Sequence, residues 1–267
     1  MCQECGCGMG GGDVKIGSPA HEHHHEHHHE HGHEHGHEHA EADHPPGAKT
    51  VNLNRSLMEK NALRAERNRG FFQAKKLLVL NVVSSPGSGK TTFIRETAVR
   101  LGGRLRVGVI VGDLATDNDA VRLRTAGVPV VQITTGTVCH LDADMVSKAA
   151  TQLNLDQLDV LIIENVGNLV CPADYDLGEE VRVVLLSVTE GEDKPLKYPP
   201  MFHSAQVAIV TKTDLAAAAG FNRDLTLLNL KRVSHHARIF ELSAKTGDGM
   251  EAWLAHLAEQ HAVVKDR

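Results

Sequence analysis

The stretch Ser84-Ser85-Pro86-Gly87-Ser88-Gly89-Lys90-Thr91-Thr92 decides the fold. It follows the apolar run at 77–83 and opens a segment of helical character over 92–101. A strand, a Gly-rich loop ending in Gly-Lys-Thr and then a helix is the order of a phosphate-binding P-loop. Glycines let backbone N–H groups turn inward around phosphate oxygens, and the helix N-terminus adds unpaired N–H groups and partial positive charge. The expected phosphate ligands are Gly87, Ser88, Gly89, Lys90, Thr91 and Thr92, with Lys90 on the outer phosphates and the Thr91 hydroxyl on Mg²⁺. Ser84 stands where the strict pattern begins with Gly.

Outward from the loop, short apolar runs recur at 106–111, 129–133, 159–163, 181–188, 207–210 and 237–242. They show little alternation, as expected of strands buried on both faces. Stretches with helical character separate several of them, at 117–126, 142–153, 223–234 and 250–260. The pattern predicts an α/β P-loop NTPase: a mostly parallel sheet flanked by helices, with ligands at the carboxyl ends of the strands. Those ends carry Asp113 and Asp117, Glu164 and Gly167, then Lys212 and Asp214, then Ser243, Ala244 and Lys245. Asp113 and Glu164 are in range to hold Mg²⁺ with Thr91, because hard cations prefer oxygen ligands. Gly167 offers an N–H to the γ-phosphate. The Asp214 carboxylate can accept two hydrogen bonds from the edge of guanine, which adenine does not offer, and so favours GTP over ATP. Lys212 would pack its stem along the purine, and the 243–245 stretch would back the base. Thr211 replaces the Asn with which this signature usually begins. No residue stands out as a strong general base; Asp113 or Asp117 would orient the attacking water, with Lys90 and Mg²⁺ supplying most of the charge stabilisation, so intrinsic turnover is expected to be slow.

Composition narrows the class. With 267 residues and a net charge of −6, the chain can bury one sizeable core and is not built to neutralise nucleic-acid phosphates. No transmembrane run or signal layout is present in the sequence, which predicts a cytoplasmic address and no membrane partner. Of the five cysteines, Cys2, Cys5 and Cys7 lie in a Cys-x-x-Cys-x-Cys array, which reads as a metal site rather than a disulfide framework. Copper, nickel and zinc all suit such ligands.

The tract from His21 to His44 holds thirteen of the 19 histidines, among them His23, His24, His25, His27, His28, His29, His31, His33, His35, His37 and His39. Imidazoles that are mostly neutral at pH 7 make it a weak, multi-site metal store, too polar to pack and expected to be disordered. Residues 40–50 read as a linker, and 57–67 as an exposed lead-in helix. The expected organisation is therefore a metal motif at 1–8, a His-rich tract and linker at 9–50, and a nucleotide-binding domain at 51–267.

A last constellation joins Cys139 and His140, expected at the head of a helix, to Cys171, seven residues past Glu164. A thiol at a helix start is a good metal ligand. Adjacent residues share one ion only by a distorted reach, which the pairing of two such sets in a dimer would relieve.

These residues carry a resemblance. Cys2-x-x-Cys5-x-Cys7, the loop at 84–92, Cys139-His140-Leu141-Asp142, Glu164-Asn165-Val166-Gly167-Asn168-Leu169-Val170-Cys171-Pro172 and Ser187-Val188-Thr189-Glu190-Gly191-Glu192-Asp193-Lys194-Pro195 together resemble the HypB family. That family comprises the nickel-inserting GTPases of NiFe-hydrogenase maturation, of the SIMIBI class. The resemblance implies GTP and GDP, Mg²⁺, Ni²⁺ and Zn²⁺ as ligands. It implies a tight nickel site at Cys2, Cys5 and Cys7, and a weaker nickel or zinc site at Cys139, His140 and Cys171 on a GTP-favoured homodimer interface. It also implies a HypA-type accessory protein and the hydrogenase large subunit as partners. Two alternatives are a urease-maturation GTPase, whose Cys-Pro-His motif is here Cys171-Pro172-Ala173, and a nickel buffer with a weak or vestigial GTPase.

Overall fold

The computed structural model describes residues 15–16 and 46–267. Eight strands form one sheet: β1 (Lys15–Ile16), β2 (Leu78–Ser84), β3 (Val107–Asp113), β4 (Val130–Thr134), β5 (Val160–Glu164), β6 (Val181–Ser187), β7 (Val207–Thr211) and β8 (Arg238–Glu241). Their order is β1-β4-β3-β5-β2-β6-β7-β8. All neighbours are parallel except β1, which pairs antiparallel with β4. The P-loop strand β2 is central, and Glu164 is paired in register with Val82 on one side and Val111 on the other.

Because side chains alternate across a strand, β2 feeds the cores on both faces of the sheet. Leu78, Leu80 and Val82 face α2 (Lys90–Leu101) and α8 (Met250–Asp266), where Phe93, Ile94, Trp253 and Leu257 are buried. Burial of each such side chain is worth about 2 kcal/mol before its ordering cost. The Trp253 indole N–H, which could not be left unpaired there, donates to Thr97 Oγ1 at 3.1 Å. Leu77 and Val79 turn the other way, with Ile133, Leu161 and Ile163, onto α4 (Ala143–Ala150) and Phe72 of α1 (Pro46–Ala74). The remaining α-helices are α3 (Asn118–Thr125), α5 (Lys194–Lys197), α6 (Pro199–Ser204) and α7 (Arg223–Val233), and short 3-10 turns lie at Leu155–Gln157, Cys171–Asp174 and Thr213–Leu215. Met201 and Phe202 of α6 and Leu230 of α7 cover β6 and β7.

Four expectations change. The helix expected at 142–153 is α4, Ala143–Ala150, so Cys139 stands in a bend before the Asp142 N-cap rather than on a helix start. The 40–50 segment is not all linker, since α1 begins at Pro46, a residue suited to a first helical position. Lys15 and Ile16, inside the tract expected to be disordered, extend the sheet edge. Finally, α1 is not simply exposed. Leu57 and Leu63 do point outward, 54% and 75% accessible, but Asn61, Ala65, Asn68 and Phe72 form a buried face. The buried stripe is half polar, which hides it from a reading of hydrophobic spacing. The Cys2, Cys5 and Cys7 motif and the histidines of 21–44 lie outside the described residues.

Candidate nucleotide and metal centre

The P-loop is a ring of backbone turned toward one point. Gly87 and Gly89 have φ of +73° and +98°, left-handed values that side chains resist. Gly89 is the N-cap of α2 and supplies no side chain to the first-turn N–H groups, which leaves them for an anion. Ser84, the departure from the strict motif, is integral to the ring: its hydroxyl contacts Ser88 Oγ and lies 3.0 Å from Lys90 Nζ. Burial pulls the Lys90 pKa down, while Glu164, Asp119, Glu190 and Asp113 act to hold its charge. Thr92, in the first turn of α2, is exposed.

Thr91 and Glu164 meet as expected of Mg²⁺ ligands. The Thr91 hydroxyl donates to Glu164 Oε1 at 2.7 Å, and Glu164 Oε2 is buried without a hydrogen-bond partner. Burial raises the Glu164 carboxyl to about 7, against the opposing pull of Lys90 and Thr91. An oxygen left unpaired beside a hydroxyl and a phosphate ring fits a hard divalent cation. Asp113 is turned into its own loop, where it accepts from the Leu114 N–H at 2.7 Å and from Thr116. It reaches Glu164 through its field and not by a hydrogen bond. Asp117 is the N-cap position of α3 and makes no capping bond. Gly167 lies against the loop, where a side chain would come within 3.1 Å of Pro86.

The residues expected to flank the base are tied to the same loop. Thr211 donates to the Ser88 carbonyl at 3.0 Å and Lys212, at φ +59°, donates to the Gly87 carbonyl at 2.6 Å. Asp214 Oδ1 accepts from Ser243 Oγ at 2.6 Å, and Ser243 Oγ in turn accepts from the Thr246 N–H. Ala244 packs partly buried and Lys245 is exposed.

Beside this ring, one ligand atom each from Cys139, His140 and Cys171 falls within 4.8 Å of the others. The two sulfurs are 3.2 Å apart. The distorted reach expected of neighbouring residues does not arise, because a bend frees them from the roughly 100° separation of successive helical side chains. His140 is buried, its Nδ1 has no hydrogen-bond partner, and burial lowers its pKa, so the ring is a neutral donor at pH 7. Tyr175 stacks on it at 3.9 Å. Two soft sulfurs and one imidazole suit nickel, zinc or copper. Asn168 Nδ2 donates to the Cys139 carbonyl at 3.2 Å, so the loop running from Glu164 to Cys171 touches both centres.

A family model described as the CobW/HypB/UreG nucleotide-binding domain matches residues 78–241. The hydrogenase maturation factor HypB of Escherichia coli K12 is 48% identical over 220 residues, spanning 81% of this chain and 76% of that protein. The chain belongs to the HypB family. Among solved structures, HypB from Helicobacter pylori in complex with nickel has a TM-score of 0.73 at 42% identity, covering 76% of this chain and 95% of that one. HypB from Archaeoglobus fulgidus has a TM-score of 0.71 at 37% identity, covering 76% and 99%. HypB and its CobW and UreG relatives are P-loop GTPases, and HypB is a hydrogenase maturation factor. Among the described residues no helix is long and apolar enough to cross a membrane.

Sequence reasoning missed several residues of the candidate site. Asp119 and Glu190 act on Lys90 through their charge, Asp119 on Glu164 also, and Tyr175 covers His140. Asn165 is also absent from the expected set, although it is buried and accepts from the Leu141 and Val166 N–H groups. Only Glu190 and Asn165 lie in strings the resemblance had singled out.

Proposed function

We propose that the chain is a GTP-hydrolysing nickel metallochaperone: it stores nickel and passes it on for insertion into the NiFe-hydrogenase large subunit, through a HypA-type accessory protein. GTP favours the homodimer and controls metal release. Nickel, the cargo, is held at Cys139, His140 and Cys171, with Cys2, Cys5 and Cys7 as a tighter site and the His-rich tract as a store.

The observation that carries this reading is the single loop of eight residues that begins at Glu164 and ends at Cys171, with Asn168 bonded to the Cys139 carbonyl. A change at one end of so short a loop is felt at the other. For nucleotide chemistry, Thr91 and Glu164 would hold Mg²⁺, which when bound neutralises developing phosphate charge. Lys90 supplies positive charge to the outer phosphates, the ring of N–H groups fixes the phosphate chain, and Asp214 selects the base. Asp113 or Asp117 orients water. Among the described residues no group stands out as a strong general base for that water, and slow turnover follows. When the loop relaxes after hydrolysis, Cys171 shifts and the ion is released. By linkage, nickel at this centre alters nucleotide affinity or dimerisation in return.

Equilibrium dialysis with nickel tests the reading, on the full chain and on Cys139→Ala, each with and without a non-hydrolysable GTP analogue. In the parent, the analogue should change the affinity of one site, and that response should vanish in Cys139→Ala. Equal nickel binding under all four conditions would overturn the coupling.

A further inference from the structure

The buried polar face of α1 touches both stretches of chain that carry Cys139, His140 and Cys171. Asn61, 7% exposed, accepts from the Ala143 N–H at 2.9 Å and donates to the Asp176 carbonyl at 2.8 Å. Asn68, 4% exposed, donates to the Ala143 carbonyl at 2.7 Å and to the Leu177 carbonyl at 3.1 Å. Ala143 is three residues past His140. Asp176 and Leu177 directly follow Tyr175, the ring stacked on His140, and are five and six residues past Cys171. Arg69 adds bonds to the Asp176 carboxylate and the Glu179 carbonyl.

The approach is close enough to demand glycine. Gly178 has φ of +87°, and a Cβ there would lie 2.6 Å from the Ala65 carbonyl oxygen and 2.7 Å from Asn68 Cβ. A helix needing only to cover the sheet would present leucines on this face, as it does with Phe72 lower down. Two amides that each bridge the same pair of loops have another consequence: they hold the spacing between the segment bearing Cys139 and His140 and the segment following Cys171. Groups that orient metal ligands from behind typically govern affinity by about 10- to 100-fold.

We propose that Asn61 and Asn68 are positioning residues for the Cys139/His140/Cys171 centre, and that α1 is the arm that sets its geometry. The inference rests on the reading of those three residues as a metal site. Neither amide touches the ion. Each acts by fixing the backbone that carries a ligand.

The test uses the full chain with Cys2→Ser, Cys5→Ser and Cys7→Ser, so that Cys139 and Cys171 are the only thiols left of five. Nickel chloride is added and the thiolate-to-nickel charge-transfer absorption is recorded, a signal that histidine sites do not give. Affinity comes from competition with a chelator. Asn68→Asp removes both donated bonds at constant size, and should weaken binding about 10- to 100-fold and shift the band. Asn61→Asp keeps an acceptor for the Ala143 N–H and should lose less, which also covers the case in which Asn68→Asp does not fold. Phe72→Leu, on the same helix but in the apolar core, should lower the melting temperature and leave band and affinity alone. The proposal falls if Asn61→Asp and folded Asn68→Asp keep the parent's band and affinity, or if Phe72→Leu weakens nickel equally. A parent with no band at all would instead remove the metal centre, and with it any residue that positions it.

Discussion

Two carboxylates bracket β5 and differ in every respect that matters. Asp159, just before the strand, is gripped by Arg106: Oδ2 accepts from the Arg106 backbone N–H at 2.9 Å and from Nε at 3.0 Å, and Oδ1 accepts from Nη2 at 3.1 Å. Those bonds hold its pKa down at about 2. Glu164, the strand's last residue, is more deeply buried, has one oxygen unpaired, and is raised to about 7. The amino end of the sheet is satisfied by the chain itself. The carboxyl end is left in deficit, and the deficit is what a ligand can fill. Stability and function thus divide along one strand of five residues.

Removing the cation at the carboxyl end should have the largest effect. Lys90→Ala is expected to lower GTP hydrolysis by at least about 100-fold, measured as phosphate release, because the other lysine at the loop, Lys212, is tied to the Gly87 carbonyl and does not replace Lys90 Nζ beside Ser84. Glu164→Gln should cost hydrolysis a comparable factor while making the nucleotide-free protein more stable. The sign follows from the raised pKa. Folded Glu164 binds its proton more tightly than the unfolded chain does, so stability falls as pH rises from about 4.5 to about 7. The full penalty, about 3 kcal/mol, is felt above that window. Melting curves of the parent should therefore drop across it, the Gln variant should lack that component, and GTP with Mg²⁺ should flatten the parent's slope. A parent with no such slope would break the comparison at its functional end.

At the other end the effect is smaller and opposite. Asp159 has a depressed pKa, so its contribution is present above about 3.8 and is lost as pH falls through about 2. Arg106 is largely exposed and water screens the pair, so Asp159→Asn should cost only about 1 kcal/mol in chemical denaturation. GTP hydrolysis should be unchanged. A loss of activity in Asp159→Asn would show that the two ends of β5 are not independent.

Much of the carboxyl end was legible because its chemistry needs particular residues in order along the chain. Lys90, Thr91, Glu164 and Asp214 each sit at a strand end or helix start, and a parallel sheet brings all such ends to one edge. The metal centre was legible as a set of donor types, and its geometry was not: whether Cys139 and His140 could share one ion depended on a bend that spacing does not reveal. Nor was the role of α1 visible. Its buried stripe carries Asn61 and Asn68 where hydrophobic periodicity looks for Leu or Val, and their partners lie 75 to 115 residues away.

The sequence by itself determined the α/β class and the P-loop and singled out the three side chains of the candidate metal centre, because local propensity and ligand chemistry are written residue by residue. Only the tertiary structure decided which oxygen of Glu164 goes unpaired, which way Asp113 turns, and which distant backbone groups the two asparagines on α1 bind. Those outcomes depend on burial and on backbone groups far apart in the chain, whose hydrogen-bonding needs arise only once the sheet has closed around them.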